Sequence, residues 1–89
     1  MAKVITGAGM VRQALKEVVG EEKYRYLSIY ADKLQDRYKV KVQQLSWAHL
    51  KENEVQEVVD YIKKNYGKEV EVKTGVSSYR HLEYVAFYI

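Results

Sequence analysis

Two stretches with helical spacing, each followed by two stretches of alternating side chains, constrain this chain more than any motif in it. Val11, Ala14, Leu15 and Val18 stand 44 positions ahead of Val55, Val58, Val59 and Ile62, so the two apolar stripes superpose without a gap. At the same offset Tyr26 and Ser28 fall on Val70 and Val72, and Tyr38 and Val40 on Leu82 and Tyr84. Few identities accompany the match, which is one of patterns. A repeated helix–strand–strand unit decides topology, and such a period is worth seeking early. Two units, 8–45 and 52–89, predict a single α+β domain. Its two αββ units would form a four-stranded antiparallel sheet with two helices on one face.

The second helix is the best marked. Val55, Val58, Val59, Ile62 and Tyr66 recur at three- and four-residue steps, with Glu54, Glu57, Asp60, Lys63 and Lys64 on the other side. Asn53 suits an N-cap, acidic residues suit the helix start, basic ones its end, and Gly67 a left-handed stop. The first helix reads as Ala8 to Val19, capped by Thr6 and closed by Gly20, after a short lead from Met1 to Ile5. Gly7 and Gly9 form a GxG, but no strand of useful length precedes it and no third glycine follows. It reads as a helix start, not a dinucleotide fingerprint.

The strands follow by period two. Val40 and Val42 alternate with Lys39, Lys41 and Gln43 in a strand from Tyr38 to Trp47, and Val70 and Val72 alternate with Glu69, Glu71 and Lys73 in one from Glu69 to Thr74. Gly75 to Ser78 reads as a loop. Tyr79 to Ile89 is apolar on both sides, with Leu82, Tyr84, Ala86 and Tyr88 against Val85, Phe87 and Ile89, the mark of a central or covered strand. Glu21 to Tyr38 is ambiguous between helix and strand. The alternation of Tyr24–Ala31 and its β-branched and aromatic content favour a strand, turning at Asp32–Asp36. Leu27, Ile29 and Ala31 would then face inward.

At 89 residues there is room for one small core. The chain has no Cys, hence no disulfide or thiolate metal site. It has no apolar run near the roughly 20 residues that cross a bilayer, and no apolar leader. An intracellular, cytoplasmic protein without membrane contact is expected. Net charge is +3, with the excess of Lys and Arg in residues 1–44. Nine Tyr stand against one Phe, and Tyr suits half-exposed positions and interfaces.

The candidate surface is the sheet side away from the helices. It would present Tyr24, Tyr26, Tyr30, Lys39, Lys41, Gln43 and Lys73, with Arg37 nearby. Aromatic rings stack on unpaired bases while cations neutralise phosphates. Glu69 and Glu71 on the same side would oppose phosphate. Exposed aromatic area also meets other proteins. Trp47 reads as a core edge or an interface anchor. His49 and His81 lack the company that a metal site or acid–base pair needs, and Ser77 and Ser78 fit a turn better than a nucleophile. No catalytic residue, metal or cofactor is expected, and a small enzyme around His49 or His81 is a distant third option.

The residues carry no motif specific enough to assign a family. The leading expectation is a small non-enzymatic binding module or regulator, acting through protein–protein contacts and self-association as a homodimer. The alternative is a single-stranded nucleic-acid binder using Tyr24, Tyr26, Tyr30, Arg37, Lys39 and Lys41.

Overall fold

The computed structural model describes residues 5–78 and 81–89. Its elements run α1 (Gly7–Val19), α2 (Glu21–Tyr26), β1 (Ser28–Lys33), β2 (Tyr38–Gln43), α3 (Glu52–Tyr66), β3 (Glu71–Val76) and β4 (Glu83–Tyr88). The four strands form one antiparallel sheet in the order β1-β2-β4-β3. Each hairpin thus places its second strand at the centre and its first at an edge. The α+β architecture expected from the alternation is the one observed.

Burial explains the layering. Val11, Ala14 and Leu15 of α1 and Val58 and Ile62 of α3 are buried. They meet Val40 and Val42 of β2 and Val85 and Phe87 of β4 in one core, closed at its margin by Leu27, Ala48 and Leu50. The inward side chains of the two central strands are fully or almost fully buried, whereas Ile29 and Val72 on the edge strands are only partly so. No helix among the described residues is long and apolar enough to cross a membrane.

Helix ends follow their local chemistry with one exception. The Thr6 hydroxyl accepts from the Gly9 N–H at 3.1 Å, and Gly67 closes α3 in the left-handed region at φ 66°. The expected N-cap Asn53 lies inside α3, which starts at Glu52 with Lys51 as its cap. Glu54 draws the start back, because its carboxylate accepts from the Lys51 N–H at 2.9 Å.

The ambiguous segment divides in two. Residues 21–26 are helical and the strand begins only at Ser28, so the strand expected over Tyr24–Ala31 is corrected for its first half. Gly20 at φ 89° closes α1 and opens α2, and the Tyr24 N–H donates to its carbonyl at 3.0 Å. Tyr24 packs on the helix side of the core with the Lys16 ammonium 5.2 Å from its ring centre. Lys23 reaches Glu54 at 2.8 Å and ties α2 to α3. These contacts outweigh the β preference of Tyr24 and Tyr26, which is a weak prior. The strand itself extends to Lys33, and the turn is 34–37, where the Leu34 N–H donates to the Arg37 carbonyl at 2.7 Å.

Other boundaries move by a few residues. β2 stops at Gln43 instead of Trp47. β3 is shifted to Glu71–Val76, so Gly75 lies in a strand and not in a loop. The expected fourth-strand start at Tyr79, with Arg80, and most of the expected lead, residues 1–4, fall outside the described residues. The Ser77 N–H donates to the Leu82 carbonyl at 2.7 Å and closes the second hairpin.

Glu54 is set low by its contacts. Burial alone would raise its carboxyl, but the Lys23 ammonium and the Lys51 N–H together hold it below the ordinary glutamate value. A carboxyl lowered on folding contributes its full stability above its unfolded value, about 4.3, and loses it as pH falls through the folded one. Glu54→Gln is therefore expected to cost about 1 kcal/mol at neutral pH, between an exposed and a buried pair. Urea unfolding across pH checks this: the gap to wild type should close below the ordinary carboxylate range. A gap that stays constant there would contradict the assignment.

Candidate functional site

The sheet face opposite the helices is assembled by register. Successive side chains of a strand alternate sides, and partners on neighbouring strands lie next to each other. Asp32, Lys39, Tyr88 and Glu71 therefore form one row across the sheet. Tyr30, Lys41, Ala86 and Lys73 form the next, and Ser28, Gln43, Tyr84 and Gly75 the third. Ala86 at the centre is fully buried although it belongs to the face without helices. Its small side chain lets the lysines on either side and the tyrosines two residues away close over it.

Cations lie over the rings. The Lys41 ammonium is 5.6 Å from the Tyr30 ring centre and 5.4 Å from that of Tyr84. Lys39 is 5.8 Å from Tyr88 and 6.0 Å from Tyr84, and Lys73 is 5.3 Å from Tyr88. The Arg37 guanidinium, from the turn before β2, is 4.5 Å from the Tyr88 ring. Each such contact is worth about 0.5–1 kcal/mol when exposed. Lysine stems cover the apolar rings while their heads remain hydrated. The face thus has an aromatic layer beneath a positive one.

The acidic residues do not cancel this charge. Glu71 lies 3.5 Å from Arg37 and 3.6 Å from Lys73, at the flank of the face. Glu69 precedes β3. Lys39, Lys41, Lys73 and Arg37 stand against Asp32 and Glu71, an excess of two positive charges.

Of the six residues expected to form the site, Tyr30, Arg37, Lys39 and Lys41 come together here. Tyr24 and Tyr26 do not, because α2 carries them off the sheet: Tyr24 faces the core and Tyr26 is exposed at the end of the helix. Their places are taken by Tyr84 and Tyr88. The signal for these two was present in the alternation of Tyr84, Ala86 and Tyr88 against Val85 and Phe87, once β4 is known to be central.

Trp47 is not a core edge. It is 75% exposed in the loop between β2 and α3. That loop is fastened: the Gln44 amide donates to the Leu50 carbonyl and accepts from the Leu50 N–H, both at 2.8 Å. Leu45 and Ala48 exchange backbone hydrogen bonds of 3.2 and 3.3 Å, while Ala48 and Leu50 anchor in the core. His49 and His81 are both exposed, and the Nδ1 of His49 lies 3.1 Å from the Leu45 carbonyl. Ser77 and Ser78 belong to the turn after β3. Among the described residues no three His, Asp or Glu side chains cluster as metal ligands would.

No protein-family model matches the sequence, and searches of curated proteins and of solved structures find no match. The functional reading therefore rests on the geometry of the face.

Proposed function

We propose that this chain is a non-enzymatic binding module whose working surface is the open face of the sheet, and that its ligand is single-stranded nucleic acid. The observation that supports this most is the pairing of Tyr30, Tyr84 and Tyr88 with Lys39, Lys41 and Lys73 on one face. Stacking platforms and phosphate-neutralising cations are the two components of sequence-tolerant single-strand binding, and both occur here within hydrogen-bonded neighbours. A lysine head over a ring can swing to a phosphate on its flexible stem and leave the ring to a base. The objection from acidic residues weakens, since Glu71 has Arg37 and Lys73 beside it and Glu69 precedes the strand.

Fluorescence anisotropy of a short labelled oligothymidylate tests this reading. Binding should weaken steeply with salt, and Lys41→Gln should reduce the slope of log K against log salt by about 0.7, one phosphate contact on a single strand. Tyr88→Ala should cost about 1–3 kcal/mol if a base stacks there. An absence of binding at low salt, or variants that bind like wild type, would contradict the reading.

Trp47 favours a second reading, contact with another protein or a second copy of the chain. The loop backbone is fastened while the indole stays exposed, so little backbone freedom is lost when a partner covers it, and Trp is enriched among residues that dominate interfaces. Light scattering across concentration tests self-association. A wild-type dimer that becomes monomeric in Trp47→Ala is the expected result. A wild type that stays monomeric throughout would remove the second copy as the partner.

A further inference from the structure

We propose that Gly75 is a positioning residue of the open face, a seat across which the Tyr84 ring lies, and that loss of this seat alone disables the Tyr84 end of the binding surface. The functional half of this inference rests on the reading of the face given above; the seating itself does not.

Gly75 pairs directly with Tyr84 across β3 and β4. A Cβ built at Gly75 would come within 2.7 Å of the Tyr84 Oη, 2.8 Å of its Cζ and 3.1 Å of its Cε2. Those distances are shorter than packed atoms allow, so the far end of the ring occupies the space a side chain would take. An aromatic residue laid over a glycine on the neighbouring strand covers the exposed backbone and fixes its own ring.

The backbone does not require this glycine. Among the described residues only Gly20 and Gly67 combine glycine with positive φ, and Gly75 sits in regular strand geometry. Glycine inside a strand loses more conformational entropy on folding than alanine, so its use at position 75 costs stability unless something must approach closely. The Tyr84 ring is what approaches. Its position in turn sets two cations, since Lys41 and Lys39 lie 5.4 and 6.0 Å from its centre. An alanine methyl would lift the phenol end of the ring toward these lysines and disturb one end of the aromatic layer, while Tyr30 and Tyr88 stay in place.

Gly75→Ala is the test, with the Tyr84 ring resonances read beside affinity and melting temperature. The variant should melt close to the wild-type temperature, because displacing the Tyr84 ring costs stability while alanine restricts the unfolded chain. It should nevertheless bind the labelled oligothymidylate about tenfold more weakly, near the low end for one stacked base. Proton NMR reads the seat without any ligand: the Gly75 Hα signals should be shifted upfield by the ring in wild type, and that shift should vanish in Tyr84→Leu.

Two results would overturn the inference. One is Gly75→Ala binding like wild type while Tyr84→Ala binds weakly. The other is a Gly75→Ala variant that binds weakly while its Tyr84 ring resonances stay where they are in wild type, which would place the effect outside the seat. If wild type binds no oligonucleotide, the open-face reading fails and the functional half of the inference fails with it. The Gly75 Hα shifts then still decide the seating: unshifted signals would overturn it.

Discussion

The two-sidedness of β4 is the constraint from which the rest of the architecture follows. Val85 and Phe87 point into the helical layer, and Tyr84, Ala86 and Tyr88 point away from it. The strand lies between β2 and β3, so both sets of side chains meet neighbours on two sides. A slip of one residue would drive two tyrosines into the core and lift Phe87 out of it, which is how sidedness fixes register. Phe87 is the largest fully buried side chain among the described residues and sits in the core that both long helices share. Truncating a phenylalanine in such a site costs about 3–5 kcal/mol, a large share of the 5–15 kcal/mol typical of a domain.

The same alternation shapes the face that remains without helices. An antiparallel sheet can leave one side to solvent provided that side is polar enough. Here the condition is met with lysine ammoniums above tyrosine rings, and the apolar area beneath is covered by the lysine stems. This accounts for three of the nine tyrosines, Tyr30, Tyr84 and Tyr88, on a face where rings must be half covered and half wet. The excess of positive charge that this packing leaves on the face is the feature on which the proposed nucleic-acid reading draws. Trp47 lies off this surface, so the charge of the face does not bear on what covers the indole.

Much of this was legible in the residues and some was not. The stripes at Val11–Val18 and Val55–Ile62 announced two helices, and period two placed Val40, Val42, Lys39 and Lys41 on their proper sides. Parity also survived where boundaries did not: β1 starts four residues after Tyr24, yet Ile29 still points inward and Tyr30 outward. Glu21–Tyr26 misled because the deciding contacts are distant. The Lys23–Glu54 pair spans 31 positions, and no local pattern reports it. The exposure of Trp47 was hidden because Ala48 and Leu50 take the core positions and Gln44 fastens the loop to Leu50, which leaves the indole outside the core. Tyr84 and Tyr88 were visible as one side of an apolar strand, but their partnership with Lys39, Lys41 and Lys73 needs the order β1-β2-β4-β3. Gly75 read as a turn residue because glycine usually marks one, and only its pairing with Tyr84 shows otherwise.

In the proposed function the open face of the sheet, Tyr30 of β1 included, is the surface that meets the ligand. Amide chemical-shift mapping of the labelled protein, titrated with a short oligothymidylate at low salt, tests it most directly. Shifts should concentrate at Lys39, Lys41, Lys73, Tyr84 and Tyr88, with the outer sides of α1 and α3 unmoved. Shifts centred on the helices, or no shifts at all, would contradict it.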